Sequence, residues 1–155
     1  MIGKIKRTVA DGHFSNCVRI RAKWRCQRCG TDYTNRNRQG LQCSHLIGRG
    51  HYAVRYDPEN ALSLCTRCHH DMTAHPIEHV QLWRNLHAEV YGEQSADQAI
   101  QALLERSTDE ERKRYAKEHE KEISKHYRET FQELEKFYEE TQGGESYEFE
   151  SYNHR

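Results

Sequence analysis

Two Cys-x-x-Cys pairs, Cys26/Cys29 and Cys65/Cys68, constrain this chain more than any other feature. Thiolates three positions apart converge on one ion when a tight turn aims backbone amides at the sulfurs, and Gly30, directly after the first pair, supplies the open backbone that turn needs. Four soft thiolates fill a closed tetrahedral site, so the spacing predicts structural Zn2+ on Cys26, Cys29, Cys65 and Cys68. With every position taken by protein, such an ion has no vacancy for water or substrate. Any catalysis must use other residues, and the stretch 26–75 holds five histidines besides. Cys43 belongs to neither pair, and Cys17 reads as a small core residue.

A metal brace suits the composition. Only 35% of the 155 residues are apolar and 31% are charged, too little for a large core. The length fits one domain with an appended helical arm. There is no run of about 18 apolar residues, and MIGKIKRTVADG lacks the apolar segment of a secretory signal. No membrane partner is expected, and the reading is cytoplasmic, where paired cysteines serve as metal ligands more often than as disulfides. The net charge of zero hides an asymmetry: residues 1–56 carry twelve Lys/Arg against Asp11 and Asp32, a net +10, and residues 57–155 carry −10. A basic half that also contains the Cys/His cluster is the footprint of a polyanion-binding face, most simply DNA.

In chain order, 1–10 reads as a basic arm. A helix is expected over about 13–24, capped by Asp11, with Arg19, Arg21, Lys23 and Arg25 placed to follow a phosphate backbone. Residues 41–54 read as two short strands in a hairpin around Gly48-Arg49-Gly50. A turn at 57–60 follows, then a short helix from the second Cys pair to Ala74, ended by Pro76. A helix over 77–91 carries the stripe Val80, Trp83, Leu86 and Val90, and a third covers 95–106. One long charged helix is expected over 109–141, with Ile123, Tyr127, Phe131, Leu134 and Tyr138 at helical spacing, docking on its own domain, a partner protein or a second copy. The acidic tail 142–155 is expected to be disordered.

Between the Cys pairs sit Ser44-His45 and then Asn60-Ala61-Leu62-Ser63-Leu64-Cys65-Thr66-Arg67-Cys68-His69. This run resembles the HNH endonuclease family, and fits its core pattern N-L-x-x-L-C-x-x-C-H position by position apart from Ala61. The flanking WRCQRCG, CSHLIGR and CHHDMTAHP are similar to HNH proteins of bacteriophage type, which would place the chain in a host cell's cytoplasm. The resemblance covers about residues 11–80. It implies a small ββα-metal, treble-clef-like core braced by the four-cysteine zinc site; with the helical patterns beyond it, the expectation is an α+β chain with the nuclease domain over 11–92 and a helical extension over 93–141. It implies a metal-dependent DNA endonuclease in which His45 is the general base and His69 the helix ligand to a divalent ion, Mg2+, Mn2+ or similar. Asn60 would hold the loop and orient His45, or touch the metal. Cleavage would leave 5′-phosphate and 3′-hydroxyl ends.

The sequence departs from the family at Ser44, where many members carry Asp or His as a metal ligand and a serine hydroxyl is a poorer one. His51, His70, Thr73 and His75 are near enough in sequence to compensate. Arg49 and Arg55 are the expected phosphate contacts, since a guanidinium fork matches phosphate oxygens; for Arg55 a pair with Asp57 or Glu59 is the alternative. The alternative function is a zinc-stabilised DNA-binding or adaptor module without catalysis.

Overall fold

A computed structural model describes residues 4–145 and 148–152. Among them the chain is α+β, with six α-helices and one two-stranded antiparallel sheet. Helix α1 (Val9–Arg21) begins earlier than expected because Thr8, not Asp11, caps it. The Thr8 hydroxyl accepts from the Asp11 amide at 3.1 Å while the Asp11 carboxylate accepts the Thr8 amide at 2.7 Å, a capping box that satisfies two helix-end donors at once. Beyond α1, Lys23 and Trp24 both adopt left-handed backbone (φ 54° and 57°) and turn the chain into the first Cys pair. Trp24 is buried there, with the Arg38 guanidinium 4.0 Å from its ring centroid.

The expected hairpin within 41–54 does not form. Strand β1 (Leu41–His45) pairs with β2 (Ala61–Cys65), Leu41 facing Cys65 and His45 facing Ala61. Residues 46–60 are a long connection with single 3-10 turns at Tyr52–Val54 and Pro58–Asn60. The physical reason is burial: every residue of β2 is buried, so the core selects the continuous apolar run ALSLC as the partner of β1 over the polar segment next to it.

Helices α2 (Thr66–Ala74), α3 (Pro76–Tyr91), α4 (Glu93–Ser107), α5 (Glu110–Glu118) and α6 (Glu120–Thr141) follow. The single helix expected over 109–141 is thus two, broken at His119, whose ring stacks on Tyr115 with centroids 3.9 Å apart. Helix α6 packs along α1, burying Ile123, Tyr127 and Leu134, and the Cys17 thiol donates to the Tyr127 carbonyl at 3.4 Å. Cys17 is indeed a core residue, its thiol pushed up to about 12 by burial. Of the expected apolar stripe, Ile123, Tyr127 and Leu134 are thus buried within the chain, and Phe131 and Tyr138 are partly buried against the same core. On α3 the expected stripe is rotated: Val80 and Val90 are exposed, whereas His79 and Trp83 are buried.

Residues 148–152 depart from the expectation of a disordered tail; 146–147 and 153–155 lie outside the described residues. Phe149 and Tyr152 are buried, Phe149 edge-on to Phe14 and Tyr127, Tyr152 stacked on Tyr115. Charge plays a minor part, since Glu148 meets Arg21 only at 3.7 Å and is itself exposed. The segment is held by its aromatic rings, which composition alone does not distinguish from a solvated acidic tail. Phe149→Ala is therefore expected to lower stability by about 3 kcal/mol in urea unfolding; an unchanged midpoint would show that the tail is not seated. No helix among the described residues is long and apolar enough to cross a membrane.

Candidate metal centres and the histidine cradle

The two Cys pairs meet. The Sγ atoms of Cys26, Cys29, Cys65 and Cys68 all lie within 4.8 Å of one another, with Cys29 and Cys65 3.9 Å apart. Four sulfurs at about 2.3 Å from a tetrahedral zinc stand about 3.8 Å from each other, so the cluster has the dimensions of a site that could hold zinc. Local structure explains the convergence. Cys26 and Cys29 sit on a turn closed by the Gly30 amide donating to the Cys26 carbonyl at 2.8 Å, and Gly30 takes a positive φ of 74° that glycine adopts without strain. Gln27 ties this turn to β2 twice, its amide donating to the Ser63 carbonyl at 2.8 Å and its side-chain oxygen accepting the Ser63 amide at 2.8 Å. Cys65 ends β2 and caps α2, which puts Cys68 in the first helical turn. The Thr31 hydroxyl lies 3.1 Å from Cys29 Sγ. Its hydrogen bond is the main cause that draws the Cys29 thiol down to about 6.

At the opposite end of the sheet lie His45, which ends β1 across from Ala61, and Asn60, which directly precedes β2, while His69 lies in α2. The buried Asn60 staples the connection: its side-chain oxygen accepts the Ile47 amide at 2.7 Å, and its NH2 group donates to the Ile47 carbonyl at 2.8 Å and the Val54 carbonyl at 3.0 Å. Its amide is thereby committed to the loop. That loop in turn presents the Arg55 carbonyl, 2.8 Å from His45 Nε2. A carbonyl can only accept, so Nε2 carries the proton and Nδ1 keeps its lone pair. Burial, against the pull of that hydrogen bond, brings the His45 imidazole down to about 4, so it is uncharged at neutral pH.

Arg55 is not a phosphate contact. It is fully buried, and its guanidinium donates to both Asp11 oxygens, at 3.0 and 2.6 Å, and to the Lys6 carbonyl at 2.8 Å. The expected partners Asp57 and Glu59 instead meet Arg106 at 2.8 and 3.3 Å. The partner is Asp11 because α1 lies against the connection, a contact that sequence proximity does not announce. Arg19 and Arg21 are likewise withdrawn from any phosphate-tracking role. Arg19 donates to the Arg38 and Leu41 carbonyls at 3.0 and 3.2 Å, and Arg21 to those of Pro58 and Ala61 at 3.0 and 2.8 Å. Arg49 differs. It is partly exposed, makes no hydrogen bond or ion pair with any described residue, and its charge acts on both His45 and His69.

His69 carries a buried Nδ1 without a hydrogen-bond partner among the described residues. Of the residues named to compensate for Ser44, His51, His70 and His75 are exposed, His75 Nδ1 lies 2.8 Å from the Asp71 carbonyl, and the Thr73 hydroxyl donates back to the His69 carbonyl at 2.8 Å. Ser44 is buried, and the group beside it is one the sequence reading missed, His79 of α3, whose Nε2 is 3.3 Å from Ser44 Oγ. The available signal was its place four residues before Trp83, on the same helix face. A cleft of about 1160 Å3 opens between α3, α4 and the tail segment and includes none of His45, Asn60, His69 or Arg49. Among the described residues, the four cysteines are the one group of three or more Cys, His, Asp or Glu side chains positioned for a metal. In comparisons with known proteins, no family model, no curated protein and no solved structure matches this chain.

Proposed function

We propose that this chain is a metal-dependent endonuclease of the HNH type that hydrolyses DNA phosphodiester bonds, built around a structural zinc on four cysteines. The observation that carries the reading is the tautomer of His45: its Nε2–H is tied to the Arg55 carbonyl, which leaves Nδ1 free to take a proton. In the proposed reaction Nδ1 accepts a proton from water as the water oxygen bonds to phosphorus. The bond from phosphorus to the 3′ oxygen breaks, and that oxygen takes up a proton, giving 5′-phosphate and 3′-hydroxyl ends. Arg49, which makes no hydrogen bond or ion pair with any described residue and whose charge acts on both histidines, pairs with a non-bridging phosphate oxygen. Asn60 holds the loop that holds His45, and acts through position alone. His69, with its unpartnered buried nitrogen, is the residue to hold a divalent ion. When bound, such an ion offsets the charge that grows on the phosphate and the leaving oxygen.

Incubation of supercoiled plasmid with the protein and Mg2+, Mn2+ or Ni2+ tests this. His45→Ala is expected to cut roughly 10²- to 10⁴-fold more slowly; equal cutting by both proteins would refute the assignment. A second reading, a DNA-binding or adaptor module without catalysis, is favoured by one fact: no carboxylate joins His69 in a cluster of three ligands among the described residues. It predicts a DNA gel shift without nicking under any divalent ion, and a shift unchanged in His69→Ala.

A further inference from the structure

Three elements bring polar side chains together at a place the sequence motif does not include. β1 contributes Ser44, α2 contributes His69 and α3 contributes His79. His79 is 5% exposed, an unusual position for an imidazole in a first helical turn. Two contacts hold it there. Pro76 starts α3 and the His79 amide bonds to the His75 carbonyl at 3.0 Å; one turn on, the Trp83 indole N–H donates to the Glu59 carbonyl at 2.6 Å, which presses the same helix face onto the connection. The result aims His79 Nε2 at Ser44 Oγ, 3.3 Å away. His69 stands close enough to act on the charge of His79, and its own Nδ1 is buried with no partner among the described residues.

A satisfied core histidine would account for His79 alone. It leaves the His69 nitrogen without a partner, and a buried polar atom in that state calls for an occupant. We infer that His69 and His79, with the Ser44 hydroxyl beside them, form a second metal site, and that it takes a borderline divalent ion such as Ni2+, Co2+ or Zn2+ in preference to Mg2+. Neutral imidazoles are good ligands for those ions, whereas Mg2+ demands oxygen donors, chiefly carboxylates, and no cluster of them is gathered here among the described residues. His79 thus supplies from α3 the ligand that Ser44 does not supply from β1. The inference rests on the reading of His69 as a metal ligand, but not on catalysis.

The test is calorimetric titration of Ni2+ into protein whose four cysteines already hold one equivalent of zinc. One further equivalent is expected to bind, with Mg2+ giving no comparable heat. His69→Ala and His79→Ala should each weaken Ni2+ binding at least about tenfold, and His70→Ala should not. His79→Gln, which keeps a hydrogen-bonding group toward Ser44, replaces His79→Ala if the latter melts early. Histidine ring NMR signals of the unmodified protein under added Zn2+ give a readout free of mutation: those of His69 and His79 should move together. Binding that survives loss of His79, or a His79 ring unmoved by Zn2+, overturns the inference and leaves the nuclease reading standing on His69. Metal binding that needs both histidines, in a protein where His45→Ala cuts as well as the unmodified chain, keeps the site and refutes the nuclease. Absence of any second equivalent overturns the site.

Discussion

Removing the ion from the four cysteines is expected to abolish cooperative folding of the region between α1 and α2. The sheet has two strands, and an isolated strand pair is marginal in water even with a good turn; here the strands are joined by the irregular residues 46–60. What holds β1 and β2 in register is the core on one side and, at the end of β2, the clasp between the Cys26/Cys29 turn and Cys65/Cys68. Structural zinc in small domains contributes on the order of 10–16 kcal/mol near neutral pH, comparable to or greater than the whole stability of an ordinary domain, about 5–15 kcal/mol. Four buried or crowded thiols without an ion would be a loss twice over, of the clasp and of its charge compensation. Chelation of the zinc, or Cys65→Ser, should therefore erase the cooperative thermal transition and the near-ultraviolet dichroism of Trp24, which sits next to the clasp. Cys43→Ser, on β1 outside the cluster, serves as the control. A metal-free protein that still melts cooperatively at the same temperature would contradict the expectation.

The second large effect is expected at Asp11. Arg55 is 0% exposed and its one carboxylate partner among the described residues is Asp11, 4% exposed at the side chain. Breaking such a pair from one side leaves a buried charge uncompensated, which costs about 3–5 kcal/mol. Asp11→Ala should thus destabilise by that amount in urea unfolding, and it should also slow the proposed cleavage, because the Arg55 backbone carbonyl is what orients His45. Replacing both partners by apolar residues of similar volume, Asp11→Leu with Arg55→Met, should recover most of the stability. If the single substitution costs no more than a typical surface change, the pair is not buried in solution. The pH dependence follows. Burial alone would raise the Asp11 pKa, but the hydrogen bonds from Arg55 and Thr8 outweigh it and hold the carboxyl below its ordinary value. The pair's contribution is then complete above about pH 3.9, the ordinary aspartate value, and is lost as pH falls from there through the lower folded-state pKa. Asp11→Asn should remove that part of the acid sensitivity, as read from unfolding midpoints between pH 5 and the acid transition.

These effects show which parts of the molecule a one-dimensional reading could reach. The four-cysteine cluster was legible because each half is a local device: two thiols three residues apart, with Gly30 or a helix start to shape the turn. The same holds for the helices over 66–107, set by Pro76 and Gly92 at their joints. His45, Asn60 and His69 were legible as a pattern; the structure sets His45 and Asn60 at one end of the sheet and His69 in α2. What the chain in isolation did not disclose depends on contacts between distant segments. The partner of β1 is chosen by the burial of β2, not by the nearest turn. The partner of Arg55 is 44 residues away in α1, so a side chain that looked like a phosphate contact is a core ion pair. Phe149 and Tyr152 leave solvent because Phe14, Tyr115 and Tyr127 offer them rings to pack on. His79 became visible only when α3, anchored by Trp83, was laid across the end of β1. The sequence by itself determined the four cysteines of the clasp, since their convergence follows from residue type and short spacing. Only the tertiary structure decided that Arg55 is spent in a core ion pair, which histidine faces Ser44 and which strand pairs with which, because burial is a property of the packed whole and has no local code.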